Sequence, residues 1–514
     1  MKMSVLRNRY WLFVCLITSA GLIVMTEGKQ DAGWSFDNSF VQLPEAFFSR
    51  TNPEPVKHAV KVLFNEDLAN DLGLDVDILR SSGVQVFAGN EIPAGSAPLA
   101  QAYAGHQFGH FTNLGDGRAV LLGEHVTPTK HRVDIQLKGS GRTCYSRSGD
   151  GRAVLGPMLR EYIISEGMHS LGIPTTRSLA VTATGENVLR NLPLPGAILT
   201  RIAKSHIRIG TFQYAAALGD KNNLTQLLNY TVARHYPELQ NSPDLPFRFF
   251  QAVLDKQASL VAHWMSVGFV HGVLNTDNVS IAGETIDYGP CAFLDVYHPE
   301  TVFSSIDHQG RYSFEKQPVI TQWNLARLAE SLLLVCPGER DKAVEEFISI
   351  LETFSEQYEK YYHLGTNAKL GLRQQEKEDA GLYANLLDIM RSAQADFSST
   401  FIALSHALEN EHMDSVLLKM SGFDNWMHRW RERISHESSS LPEIAKRMRT
   451  MNPVIIPRNL KVEEALTEAE SGNIEPAERL LTVLQAPFSE TLENEPFRKG
   501  APPGSASYCT FCGT

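Results

Sequence analysis

The segment His271-Gly-Val-Leu-Asn-Thr-Asp-Asn278, followed nine residues later by Asp287-Tyr-Gly289, decides how this 514-residue chain is read. Asn278 and Asp287 carry hard oxygen donors of the kind that hold Mg2+ or Mn2+. Asp277, next to Asn278, is a carboxylate that can take a proton close to such a metal.

The order of residues copies a protein-kinase catalytic loop and its D-F-G motif, where H-R-D-L-x-x-x-N supplies the catalytic aspartate. Here Val273 stands at the aspartate position, and a valine accepts no proton. Either phosphotransfer has been lost or the base has moved, and Asp277 is the nearest carboxylate. Lys138 ends a β-like run and Glu161 follows twenty-three residues later on a helical segment, like the strand lysine and helix glutamate of kinases. Phosphoryl-type chemistry needs cations on the phosphates, a metal on oxygen ligands and a group for the attacking hydroxyl. The chain offers all three.

Outward from that segment, Phe247 to Val267 reads as a helix leading into it, and the β-like runs lie upstream. Arg118–Glu124 and His131–Lys138 flank a Thr-Pro-Thr turn as a hairpin, and further runs occupy Ser178–Ala183 and Ala197–Ala203. Between them Leu155, Leu159, Tyr162 and Ile163 recur at helical spacing. Beyond Gly289 the pattern is helical: Leu325, Leu328, Ala329, Leu332, Leu333 and Cys336 mark one stripe, and Asn385–Leu408 reads as one long helix. Strands first and helices later predict an α+β chain with a protein-kinase-like two-lobed fold, β-rich N-lobe before helical C-lobe, and a helical C-terminal extension. The expected boundaries are 1–33 for an apolar extension, 34–210 and 211–395 for the lobes, 396–500 for the extension and 501–514 for a flexible tail.

Gly115-Asp-Gly-Arg-Ala-Val-Leu121 recurs identically as Gly149-Asp-Gly-Arg-Ala-Val-Leu155. Two copies are too few for a solenoid. They read as two glycine-rich turns, one entering a strand and one a helix, whose backbone N–H groups suit an anion. His106 and His110 are four apart, but Gly105 and Gly109 disfavour a helix that would pair them on a metal, so both read as structural.

A net charge of -11 argues against a nucleic-acid partner, and 43% hydrophobic with 20% charged residues is the composition of a globular chain. Six cysteines spread over the chain make no disulfide framework, so a reducing, cytoplasmic setting is expected. Lys2, Arg7 and Arg9 precede an apolar run from Tyr10 to Met25, which leaves open an anchor, an export signal or an over-called start at Met25. Cys336 falls on the buried helical stripe and reads as core. Cys509 and Cys512 form a C-x-x-C without a second pair to complete a zinc site, which leaves redox chemistry.

From about Trp34 onward the chain resembles the selenoprotein O family, called YdiU in bacteria. The resemblance rests on Tyr103-Ala-Gly-His-Gln-Phe-Gly-His, Asn113-Leu-Gly-Asp-Gly-Arg-Ala, Leu137-Lys-Gly-Ser-Gly-Arg-Thr, Thr200-Arg-Ile-Ala-Lys-Ser-His-Ile-Arg and His271 to Asn278. It implies a pseudokinase fold that binds ATP inverted, moves AMP onto Ser, Thr or Tyr hydroxyls of proteins and releases pyrophosphate; UMP transfer from UTP with manganese belongs to the same implication. On that resemblance Lys138, Arg201 and Arg208 hold the γ-phosphate end, and Gly115, Gly117, Arg118, Asp150 and Gly151 line the nucleotide site. Asn278 and Asp287 hold Mg2+ or Mn2+, with Asp287 also at the nucleotide, Asp277 is the base and Glu161 supports Lys138. Relatives pair a tail cysteine with one after the D-Y-G motif; Phe303 aligns there in this chain, with Cys291 the nearby alternative. A γ-phosphoryl kinase and an ATP-binding switch without catalysis are the competing readings, and Val273 opposes the kinase.

Overall fold

Among the described residues, ten strands lie in the first half of the chain: β1 (Phe48–Arg50), β2 (Val60–Phe64), β3 (Leu99–Gln101), β4 (Ala104–Gln107), β5 (His110–Asn113), β6 (Ala119–Val126), β7 (Arg132–Lys138), β8 (Ala153–Val154), β9 (Arg177–Leu189) and β10 (Pro193–Ala203). The structure is a computed structural model that describes residues 31–409, 416–500, 508 and 510. Eight of these strands form one antiparallel sheet in the order β1-β3-β6-β7-β10-β9-β2, with β8 on β10; β4 and β5 form a separate hairpin.

The hairpin expected around the Thr-Pro-Thr turn is β6–β7, registered Ala119 to Lys138. Along β7 the side chains alternate between faces. Ile135 and Leu137 enter an apolar cluster with Phe87 and Leu179, whereas Asp134, Gln136 and Lys138 are buried polar groups on the opposite parity. The runs foreseen at Ser178–Ala183 and Ala197–Ala203 are the inner parts of longer strands. Their more exposed outer ends continue as a ribbon to Leu189 and Pro193, where burial no longer enforces an apolar period.

The helix Leu155–Ser170 crosses this sheet and buries Leu159, Ile163 and Met168. From Ile209 onward the chain is mainly helical: Ile209–Ala217, Lys221–His235 and Leu245–Val267 precede the loop that carries Asn278 and Asp287. The last of these stops at Gly268, whose φ of 74° is the left-handed conformation that glycine adopts at a helix C-terminus. Phe269–Val270 then pairs antiparallel with Ala292–Phe293, so residues 271–291 form a loop closed at its base.

Asn385–Leu408 is not one helix. It is Asp379–Ala393 and Phe397–Glu409, separated at Gln394 with φ 49°. Asp396 and Asp295 both turn to the buried Arg458, at 2.7 and 2.8 Å, and that ion pair needs the break. The C-terminal helices Asn459–Glu470 and Glu475–Leu484 pack on Leu155–Ser170. Cys336 is half-buried at the end of the expected stripe, and burial pushes its thiol up to about 11.

The chain divides into two units, Met1–Asp31 and Ala32–Thr514. The apolar run Tyr10–Met25 lies outside the described residues, and among those residues no helix is long and apolar enough to cross a membrane. Cys509 and Cys512 also lie outside them. Thr510 donates its N–H to the Phe303 carbonyl at 2.8 Å, and Tyr508 donates to Glu463 at 2.6 Å while accepting from Arg160 at 2.7 Å.

Candidate active site

Three elements converge on Asp287. Lys138, the last residue of β7, reaches its Oδ1 at 2.8 Å; Arg201 on β10 reaches the same oxygen at 2.6 Å; Arg208, which N-caps Ile209–Ala217, reaches Oδ2 at 2.6 Å. Arg201 is 1% exposed and Arg208 2%, so each cation needs compensation. Glu161 supplies part of it, at 2.5 Å from Lys138 and 3.1 Å from Arg201. Gln136, opposite Arg201 in the strand register, accepts its second guanidinium N–H at 2.6 Å. Burial would raise the Asp287 pKa, but Lys138, Arg201 and Arg208 hold the carboxyl well below its usual range. Its φ of 61° is rare for a non-glycine residue, and the ion pairs keep it there.

The catalytic-type loop is fixed from both sides. His271 Nε2 lies 2.9 Å from the Ile286 carbonyl, and Trp264 Nε1 donates to Thr285 Oγ1 at 2.9 Å. On the other side stands the β4–β5 hairpin, whose turn residues Phe108 and Gly109 have φ of 49° and 87°, the signs of a type I′ turn. His106 N–H donates to Thr276 Oγ1 at 2.7 Å, and Phe108 N–H to Asn275 Oδ1 at 3.1 Å. Tyr312 hydroxyl also donates to that Asn275 oxygen, at 2.5 Å.

Asp277 sits against the same hairpin. A methyl group on Gly105 would lie 2.2 Å from Asp277 Oδ1, so only glycine lets the strand approach this closely. That oxygen is buried with no hydrogen-bond partner among the described residues. Burial pushes the Asp277 carboxyl up to about 6, against the pull of Arg208. A carboxylate of that kind, near neutrality and with a free acceptor, suits a general base. Asn278 donates its amide to the Val273 carbonyl at 2.8 Å, which assigns the other end of the amide to the oxygen.

A cavity of about 250 Å3 collects Gly117, Arg118, Lys138, Arg201, Arg208, Asp277, Asn278 and Asp287 among its lining residues. Gly115, Asp150 and Gly151 lie in the two glycine-rich turns and not in this lining. Asp150 pairs with Arg190 at 2.8 Å, and Gly151 packs so tightly that an added methyl would meet the Gly141 carbonyl at 2.1 Å. The cavity adds residues that sequence reasoning did not single out, Tyr103 and Asp116. Tyr103 lies with its ring 4.5 Å from the Arg208 guanidinium. Asp116, pushed up to about 6 by burial, accepts from Gln101 N–H and Gln136. Its place inside the first Gly-Asp-Gly turn was the available signal.

A larger groove, about 860 Å3, is lined by Arg132, Lys204, Arg234 and Lys256. Its arginines are already engaged, Arg132 by Asp37 and Arg234 by Glu124 and Asp134. The smaller cavity, which holds the carboxylates and the unpaired oxygen, is the candidate site.

A family model described as protein adenylyltransferase SelO matches residues 32–485. The chain is similar to the protein nucleotidyltransferase YdiU of Anoxybacillus flavithermus, 54% identical over 486 residues that cover 94% of this chain and 100% of the relative. It is similar to the proteins of the same name from Geobacillus kaustophilus, 53% identical with the same coverage, and Alcanivorax borkumensis, 52% identical over 483 residues covering 94% and 99%.

Proposed function

The chain belongs to the protein adenylyltransferase SelO family, and on that premise we propose that it moves AMP from ATP onto hydroxyl side chains of proteins with release of pyrophosphate. UMP transfer from UTP is a variant of the same proposal. The α+β architecture is read as a protein-kinase-like pair of lobes, 34–210 and 211–395, with a helical extension over 396–500 and a tail over 501–514. A cytoplasmic site of action is part of the proposal.

The observation that carries it is the convergence of Lys138, Arg201 and Arg208 on one carboxylate, 2.6 to 2.8 Å away. A triphosphate offers these cations more negative charge than Asp287 does, through the charge-assisted contacts for which arginine forks are suited. The terminal phosphates are assigned to this cradle, with Gly117 and Arg118 along the nucleotide inside the cavity and Gly115, Asp150 and Gly151 assigned to the part of the nucleotide that extends beyond its lining. The α-phosphate is then left toward Asp277.

In the transfer step Asp277 takes the proton of the acceptor hydroxyl, whose oxygen bonds to the α-phosphorus as the α–β phosphoanhydride bond breaks. Pyrophosphate leaves with the negative charge it gains, which Lys138, Arg201 and Arg208 offset. Asn278 and Asp287 are the oxygen donors for Mg2+ or Mn2+, and two protein ligands beside a triphosphate are the donor set magnesium takes. A bound ion supplies charge neutralisation on the phosphates. Glu161 holds Lys138 in place.

The test is incubation with ATP labelled at the α- or the γ-phosphate and a protein acceptor. Label retained from the α-position supports nucleotidyl transfer; label retained only from the γ-position makes the protein a kinase and overturns the proposal.

A further inference from the structure

The motif Tyr103-Ala-Gly-His-Gln-Phe-Gly-His110 does more than support the catalytic loop. Beyond the edge that touches Asp277, the hairpin carries an aromatic and cationic surface. The His106 ring stands edge-on to Phe111 and Trp323, with centroids at 5.3 and 5.4 Å, and Phe111 is 47% exposed. Two guanidinium groups flank Trp323, Arg311 at 4.8 Å and Arg327 at 4.9 Å from the ring centroid. A methyl group on Gly109 would come within 4.0 Å of the Arg311 Cζ, so the guanidinium lies against the hairpin turn.

The two arginines differ in their partners. Arg327 is paired with Glu330 at 2.8 Å. Arg311 pairs with no carboxylate among the described residues, and that alone separates the two, since the Nε of each is buried without a hydrogen-bond partner. Asp307 is close in sequence but spends its oxygens on the backbone N–H groups of Arg311 and Tyr312, at 2.9 and 2.8 Å. Those bonds fix the backbone from which the Arg311 side chain projects. Tyr312 in turn holds Asn275, two residues before Asp277. The unpaired cation is thus tied to the loop that carries the proposed base.

We propose that Phe111, Trp323 and Arg311 form the docking platform for the acceptor protein, and that Arg311 selects segments with a carboxylate side chain close to the modified hydroxyl. This rests on the reading of Asp277 as the base, because the acceptor hydroxyl must reach it. The exposed ring of Phe111 gives an extended segment its apolar contact, and the half-buried Trp323 backs the guanidinium groups that lie over it. The guanidinium supplies a charge-assisted contact that discriminates by sign.

The experiment uses α-labelled ATP and a set of peptides, each with a single Ser, Thr or Tyr and with Glu, Gln or Lys at the flanking positions. The unmodified protein should prefer Glu over Gln by about tenfold in kcat/KM, the factor one such contact supplies. Arg311→Gln should abolish that preference, Arg311→Glu should shift it toward Lys, and Arg311→Lys should keep part of it. KM for ATP should stay unchanged in all three. No preference for Glu in the parent, or a preference that survives in Arg311→Gln, would overturn the platform. A rise in KM for ATP that accompanies the loss would give the surface to the nucleotide instead and overturn it too. A parent that binds ATP but labels no peptide would overturn the transferase reading, and this proposal with it.

Discussion

The Lys138 ammonium and the Asp287 carboxylate lie 2.8 Å apart although 149 residues separate them in sequence. Their contact, shared with Arg201 and Arg208, means that Asp287 neutralises the cations that the proposal assigns to phosphates.

Asp287→Ala should therefore abolish transfer by removing a metal ligand, while leaving Arg208 without an ion-pair partner and Lys138 and Arg201 with Glu161 alone. Removing one member of a buried ion-pair set costs about 3–5 kcal/mol, so the melting temperature without nucleotide should fall, and ATP should restore more of it than in the parent. Full activity of the variant at saturating metal would refute the assignment. Lys138→Met should lose ATP use and keep its circular dichroism spectrum.

Asp277→Asn should lower the rate of α-label transfer by about 10²–10⁴-fold, the worth of a general base, with little change in ATP affinity. In the parent the base works deprotonated, so kcat/KM should rise with pH through about 6 and level off above it. The variant should lack that limb.

Gly105→Ala places a methyl group 2.2 Å from Asp277 Oδ1, so either the base or the strand must move. Transfer should fall by about 10²-fold, the cost of a small misplacement at a reacting group, with ATP binding retained. Unchanged transfer would mean that Asp277 has no fixed position to lose.

Lys369 is buried with its ammonium 3.9 Å from the Phe401 ring centroid, and burial lowers its pKa to about 7. The unfolded chain holds a proton there that the folded chain releases between about pH 7 and the usual lysine value of 10.5, so stability contributed by this site should rise with pH across that window. Lys369→Met should remove the dependence and raise stability at pH 7 by at least about 1 kcal/mol, one pKa unit of differential protonation. Denaturant titrations at pH 7 and 9 measure both effects.

The legible part of the sequence was local. The β6–β7 hairpin announced itself by alternation around a proline turn, and Asn278 and Asp287 by their spacing. The break at Gln394 was not, because its reason is an ion pair with Arg458, far along the chain. Asp116 and Tyr103 were missed for the same reason: each enters the cavity through contacts with Gln136 or Arg208 that no local period encodes. The position of Asp150 and Gly151 outside the cavity lining could not be read from a turn motif that both copies share.

That shared motif carries a cost for the folding chain. The copies Gly115–Leu121 and Gly149–Leu155 are identical, yet Ala119-Val120-Leu121 pairs with β7 while Ala153-Val154 pairs with β10 and Leu155 begins a helix. Two claimants thus exist for one strand position, and their own residues cannot rank them. The residues on the C-terminal side of each copy rank them instead. Leu122 to Val126 continues as strand, whereas Gly156-Pro157 removes a ladder donor in the only direction the second copy could extend. Pro157 is therefore expected to bar the second copy from the β6 position, and its replacement by an ordinary residue should be felt in refolding yield before it is felt in the finished molecule.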